Sequence, residues 1–145
     1  MTAALSKSID FKFVHSECTR ILAVDDDPIQ REFAAVYLSS PTTEVETADS
    51  AEAGLSMLEN GAYDLLLLDI DMPGMNGIEL VKRLRADPRF AHLPIVMATG
   101  REDIVSIDSA YEAGATSFVT KPVNWRVLSY HLRFVLRAEQ ARPAS

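Results

Sequence analysis

The chain has 145 residues, enough for one domain with a sizeable core. Its composition, 48% hydrophobic and 24% charged, is that of a soluble globular protein, and a net charge of −7 argues against generic binding to nucleic acid or an anionic membrane. A single cysteine, Cys18, excludes an internal disulfide and a cysteine-built zinc site, and the absence of a signal-like or membrane-length apolar run leads us to expect a cytoplasmic protein.

Residues 1–17 show no clean periodicity and read as an N-terminal extension. The domain is expected over 18–140, with 141–145 a tail or linker. Arg20–Val24 reads as the first strand. Asp27-Pro28 then supplies an N-cap and a first-turn proline, and Ile29, Phe33 and Val36 form the apolar stripe of a first helix. Thr43–Ala48 alternates, as a more exposed strand does. Asp49 or Ser50 caps a second helix with Ala51, Leu55 and Leu58 inward, stopped at Asn60-Gly61.

Tyr63–Leu68 is apolar throughout and is expected to be a central strand covered on both faces. After a loop rich in proline and glycine, Ile78, Val81 and Leu84 carry a third helix that ends before Pro88. Pro94–Ala98 is a fourth strand, a fourth helix runs from Asp103 to Ala113-Gly114, and Ala115–Val119 is the fifth strand. The last helix spans Val123–Gln140, with Leu128, Leu132 and Val135 on its inward stripe and Phe134 and Leu136 off it. Trp125 and Tyr130 read as packing residues, and the scattered His15, His92 and His131 as structural or surface residues. Alternating strands and helices with short connections predict an α/β fold, a doubly wound parallel sheet with helices on both faces. Ligands of such sheets bind beyond the carboxyl ends of the strands.

Two acidic clusters fall at that edge: Asp25-Asp26-Asp27 after the first strand and Asp69 after the third. Like charges about 4 Å apart at an effective dielectric near 20 cost roughly 4 kcal/mol, so a bound cation or raised pKa values must relieve them. Hard oxygen donors without nearby histidine or cysteine favour Mg²⁺ or Mn²⁺ over zinc. Thr99-Gly100 and Lys121-Pro122 reach the same edge and bring a hydroxyl and an ammonium. A nucleophilic carboxylate, a cation site and donors for equatorial oxygens together suit phosphoryl transfer to an aspartate. Asp27 reads as a helix cap rather than a third metal ligand.

Four segments, Val24-Asp25-Asp26-Asp27-Pro28, Leu68-Asp69-Ile70-Asp71-Met72-Pro73-Gly74-Met75-Asn76-Gly77, Ala98-Thr99-Gly100 and Val119-Thr120-Lys121-Pro122, occur in this order. With that spacing the chain resembles the receiver domain of two-component response regulators over about residues 19–138. The resemblance implies a flavodoxin-like five-stranded sheet of order 2-1-3-4-5 with five helices. It implies that Asp69 accepts a phosphoryl group from a histidine kinase or phosphotransfer protein, in a signalling module rather than an enzyme. Asp25, Asp26, the Asp69 carboxylate and the Asp71 backbone carbonyl would hold Mg²⁺. Thr99 and Lys121 would contact the phosphoryl oxygens. Thr99 and Phe118 would switch the face of helix 4, strand 5 and helix 5, and the Asp71 and Arg101 side chains would tune the phosphate's lifetime.

Asp69-Ile70-Asp71 after an apolar strand also fits the start of a haloacid-dehalogenase-like phosphatase, but that motif is expected on the first strand rather than the third. A flavin-binding reading lacks a Ser/Thr-rich phosphate loop after strand 1, and the intact Asp69, Thr99 and Lys121 argue against a non-phosphorylated variant. No output segment follows within 145 residues, so the chain reads as a single-domain regulator or as the receiver part of a longer one. The expected partners beyond the phosphoryl donor are an output domain or a second copy, met through the face carrying Phe134 and Leu136.

Overall fold

A computed structural model of the protein describes residues 18–100 and 104–143. Five strands, β1 (Thr19–Val24), β2 (Thr43–Ala48), β3 (Leu65–Asp69), β4 (Ile95–Thr99) and β5 (Ser117–Thr120), pair in parallel in the order β2-β1-β3-β4-β5. Five helices connect or follow them: α1 (Pro28–Leu38), α2 (Ala51–Asn60), α3 (Gly77–Ala86), α4 (Ile104–Ala113) and α5 (Trp125–Gln140). The expected architecture is present.

Successive residues of a strand point to opposite faces, and the central strands are apolar on both. Leu22, Leu66, Leu68, Ile95 and Met97 form one core with Ala51, Leu58, Leu80, Val81, Leu84 and Ala110 of α2, α3 and α4. Ile21, Ala23, Leu65, Leu67 and Val96 form the other with Ala34, Leu38, Leu128, Leu132 and Val135 of α1 and α5. The inward stripe expected of the last helix is therefore buried as read. Arg20 of β1 ties edge strand β2 to its neighbour: its guanidinium bonds Glu44 and Glu46 and lies 4.7 Å from the Tyr63 ring centroid. The other edge, β5, is half-buried and, among the described residues, pairs with β4 alone.

Several expectations change. The stripe Ile29, Phe33, Val36 does not face the core: these residues are 61%, 39% and 61% exposed, while Ala34 and Leu38 are buried. Small Ala34 meets the sheet, and Arg31 on the adjoining side reaches the Asp25 carbonyl at 2.8 Å. Phe33 and Tyr37 instead pack on half-buried Trp125, the latter nearly parallel at 6.5 Å between centroids. Tyr130, read as packing, is exposed beneath the Arg133 guanidinium. Leu136 is partly buried against the second core, which leaves Phe134 as the exposed apolar residue of that pair.

β5 starts two residues later than expected, because Gly114 (φ 117°) and Ala115, bonded to the Ala110 carbonyl, still complete the end of α4. The first residue of the last helix is Trp125, capped by Asn124. Asp103 and Arg101, together with residues 1–17, lie outside the described residues. Asp27 caps α1 by accepting from the Ile29 amide at 2.9 Å, and Ser50 rather than Asp49 caps α2.

Gly77, where α3 begins, fixes the loop that follows β3. An added Cβ would lie 2.8 Å from the Asp69 carbonyl oxygen and 2.9 Å from Ile70 Cα, both backbone atoms. Gly77→Ala should therefore cost about 1–3 kcal/mol of stability through forced backbone displacement. Urea denaturation measures this, and a loss below about 0.5 kcal/mol, the range of an ordinary surface change, would show that the loop yields freely.

Candidate functional site

Strand register gathers the acidic residues. Val24 pairs with Leu68, Asp69 with Ala98, and Thr99 with Thr120. Asp25, one residue beyond β1, thus comes level with Asp69, and Lys121 follows β5 at the neighbouring strand ends. Carboxylate oxygens of Asp25, Asp26 and Asp69 lie within 4.8 Å of one another. Asp27 is not among them, in keeping with its work as a cap. The Lys121–Pro122 bond is cis.

Lys121 Nζ stands 3.2 Å from Asp69 Oδ1 and 3.6 Å from Asp25 Oδ2. The Asp71 amide also donates to Asp69 Oδ1, at 3.1 Å. Asp69 is 3% exposed, and burial is the main reason its pKa is pushed up to about 6. The neighbouring Asp25 charge adds to that rise, while the Asp71 amide and Lys121 oppose it. Burial works against the Lys121 ammonium too, but Asp69 and Asp25 outweigh it and hold Lys121 above its ordinary value. Among the described residues one ammonium stands among three carboxylates, an excess of hard, anionic oxygen donors that suits a divalent cation.

Thr99 is fully buried, and its hydroxyl donates to Asp71 Oδ2 at 2.9 Å. Phe118 pairs with Met97 across β4 and β5 and is half-buried against the core beneath α2, α3 and α4. Asp25, Asp26, Asp69 and Lys121 are thus brought together directly, and Thr99 joins them through Asp71. Sequence reading missed Arg31. Its guanidinium bonds the Asp25 carbonyl from α1, and the Asp25 carboxylate accepts from the Asp27 amide at 2.9 Å, so the acidic loop is held on two sides. No spacing rule announces such a contact from a helix to the loop before it; it became visible only with the rotation of α1.

A family model described as response regulator receiver domain matches residues 21–133. Transcriptional regulatory protein AfsQ1 of Streptomyces coelicolor is 38% identical over 117 residues, 81% of this chain and 51% of its own length. Chemotaxis protein CheY of Pseudomonas aeruginosa is 38% identical over 110 residues, 75% of this chain and 89% of its own. The chain thus spans about half the length of AfsQ1 and nearly all of that CheY. Among solved structures, a CheY-like response regulator receiver domain protein from Methanospirillum hungatei superposes with a TM-score of 0.79 at 32% identity. That match covers 85% of this chain and 97% of the other. Nothing in these likenesses supports the phosphatase alternative, and no described helix is long and apolar enough to cross a membrane. With Asp25, Asp26, Asp69, Thr99 and Lys121 at the expected strand ends, the chain belongs to the receiver domains of two-component response regulators.

Proposed function

We propose that Asp69 is the phosphoacceptor, and that the domain, taken as residues 18–140, takes its phosphoryl group from a histidine kinase or phosphotransfer protein. The observation that carries this is the buried Asp69 carboxylate held between Lys121 at 3.2 Å and two further aspartates. Both donors on Asp69 engage Oδ1, so Oδ2 is the nucleophile. It bonds to phosphorus as the phosphorus–nitrogen bond of the phosphohistidine breaks, and the imidazole nitrogen leaves with the electron pair. Lys121 and the Thr99 hydroxyl donate to the phosphoryl oxygens. Asp25, Asp26, Asp69 and the Asp71 carbonyl would hold Mg²⁺ or Mn²⁺, which supplies the positive charge that lets two anions approach.

The domain carries one acceptor and works as a signalling module, assisting its own phosphorylation and dephosphorylation rather than turning over substrates. Thr99 drawn toward the phosphoryl group vacates space for Phe118, and the α4, β5 and α5 face changes with it. That face carries exposed Phe134, so an output domain or a second copy meets it there. Arg101 and Asp71 tune the lifetime of the acyl phosphate.

The phosphoryl donor docks on α1. Exposed Ile29, Phe33 and Val36 form an apolar face, and Trp125, which packs on Phe33, also lines the small cleft that contains Asp25, Asp69 and Lys121. A partner lying on this face has its phosphohistidine at the mouth of the site.

Treatment with acetyl phosphate and Mg²⁺ should add one phosphoryl group by intact mass, lost on chelation and in Asp69→Asn. Labelling of the Asn variant would exclude Asp69 as sole acceptor. Phe33→Glu should lower transfer from a phosphohistidine donor by roughly tenfold or more, the scale of an interface anchor, while labelling by acetyl phosphate stays unchanged. An equal loss with both donors would place Phe33 outside the docking surface.

Asp69 also predicts a pH dependence. Its folded pKa of about 6 lies above the unfolded value near 3.9, so the folded state keeps a proton that the unfolded state releases between them. The resulting destabilisation is absent below the unfolded value, grows through that window and is complete above pH 6. In chelator-treated protein, Asp69→Asn should therefore raise stability by roughly 1–3 kcal/mol at pH 7 to 8, with the gain vanishing near pH 4. Denaturation across this range measures it; a gain independent of pH would assign the effect to packing.

A further inference from the structure

Asp71 holds two parts of the site at once. Its amide is fixed on Asp69 Oδ1, and its carboxylate takes the hydroxyl proton of Thr99 at 2.9 Å. A carboxylate only accepts, so at this distance the proton between the two oxygens is the Thr99 proton, and a hydroxyl has one. The phosphoryl group on Asp69 calls for that same proton. Thr99 ends the buried β4 and is itself fully buried, whereas Asp71 is exposed and flanked by buried Ile70 and Met72. The side chain free to swing is thus that of Asp71. A groove of about 370 Å³, lined by Ile70, Asp71, Asn76, Ile78, Val105 and Ser109, adjoins it and has room for the displaced carboxylate.

We infer that Asp71 is a positioning residue, whose carboxylate retains the Thr99 hydroxyl in the unphosphorylated chain and competes with the phosphoryl group for its proton. The inference rests on the phosphoacceptor reading of Asp69 and adds the step that limits switching. A hydrogen bond to a charged acceptor must be given up before Thr99 can engage the phosphoryl oxygens. The new dianion beside the Asp71 carboxylate repels it and promotes the exchange. Asp71 thereby sets how much of the phosphorylated protein is switched, separately from any influence on water reaching the acyl phosphate.

The test is a double-mutant cycle on the full chain, with beryllium fluoride at saturating Mg²⁺ as the phosphoryl analogue and its affinity as the readout. Thr99→Val removes the hydroxyl and keeps the shape. Asp71→Ala should tighten binding roughly tenfold when Thr99 is present, the worth of a charge-assisted hydrogen bond, and about threefold or less in the Thr99→Val background, where only the general repulsion by Asp71 remains. Asp71→Asn, with an uncharged acceptor, should fall between wild type and Asp71→Ala. Equal tightening in both backgrounds would overturn the inference and reduce Asp71 to a bulk charge. If Thr99→Val does not fold, the order of wild type, Asp71→Asn and Asp71→Ala decides: equal affinity of the Asn and Ala variants means that removing charge alone accounts for the effect, and the inference fails. Wild-type protein that binds no analogue would overturn the Asp69 reading itself, an outcome distinct from binding without coupling.

Discussion

Everything at the working edge of this protein follows from burying one carboxylate. Asp69 has lost nearly all its water, and the described charges beside it are two other acids and one ammonium. Left alone it would hold a proton far into the range where aspartate is ionised. Lys121 and the Asp71 amide oppose that rise and keep the group closer to ionisation. The remaining carboxylates form a group of oxygen donors that could hold a cation.

The sheet makes that burial affordable in structural terms. β3 is covered on both faces and delivers Asp69 at its end, while β1 and β5 bring Asp25 and Lys121 from separate segments of chain. No local stretch could assemble these groups. They meet because parallel strands all end at one edge, and because apolar faces on either side fix the register. The loop after β3 packs closely on the strand end: Gly77 lies against the backbone at Asp69 and Ile70, and the Asp71 amide bonds the Asp69 carboxylate.

Much of this was legible from residues alone. Uninterrupted leucines at 65–68 marked a doubly covered strand, and acids at the ends of two apolar runs marked the edge where a site belongs. Helix α5 read correctly because its long stripe has a single candidate face. Helix α1 did not, since Ile29, Phe33 and Val36 are apolar and correctly spaced yet point outward. Periodicity identifies an apolar face, but it cannot tell a face that closes the core from one left in solvent when a small residue such as Ala34 suffices beneath. Arg31 and the Asp71–Thr99 bond were invisible for a related reason: each depends on rotation and loop path, which no motif encodes.

The position of β5 has a kinetic meaning. This strand is four residues long, half-exposed, and among the described residues bonded to the sheet along one side, yet the lysine that completes the acidic pocket follows directly after it. A segment with so few buried contacts belongs to the part of the molecule that opens locally, well before global unfolding. Each such opening withdraws the ammonium from Asp69 and Asp25. An anion bound to Lys121 would suppress those openings, so amide exchange at residues 117–120 would report whether the pocket is filled.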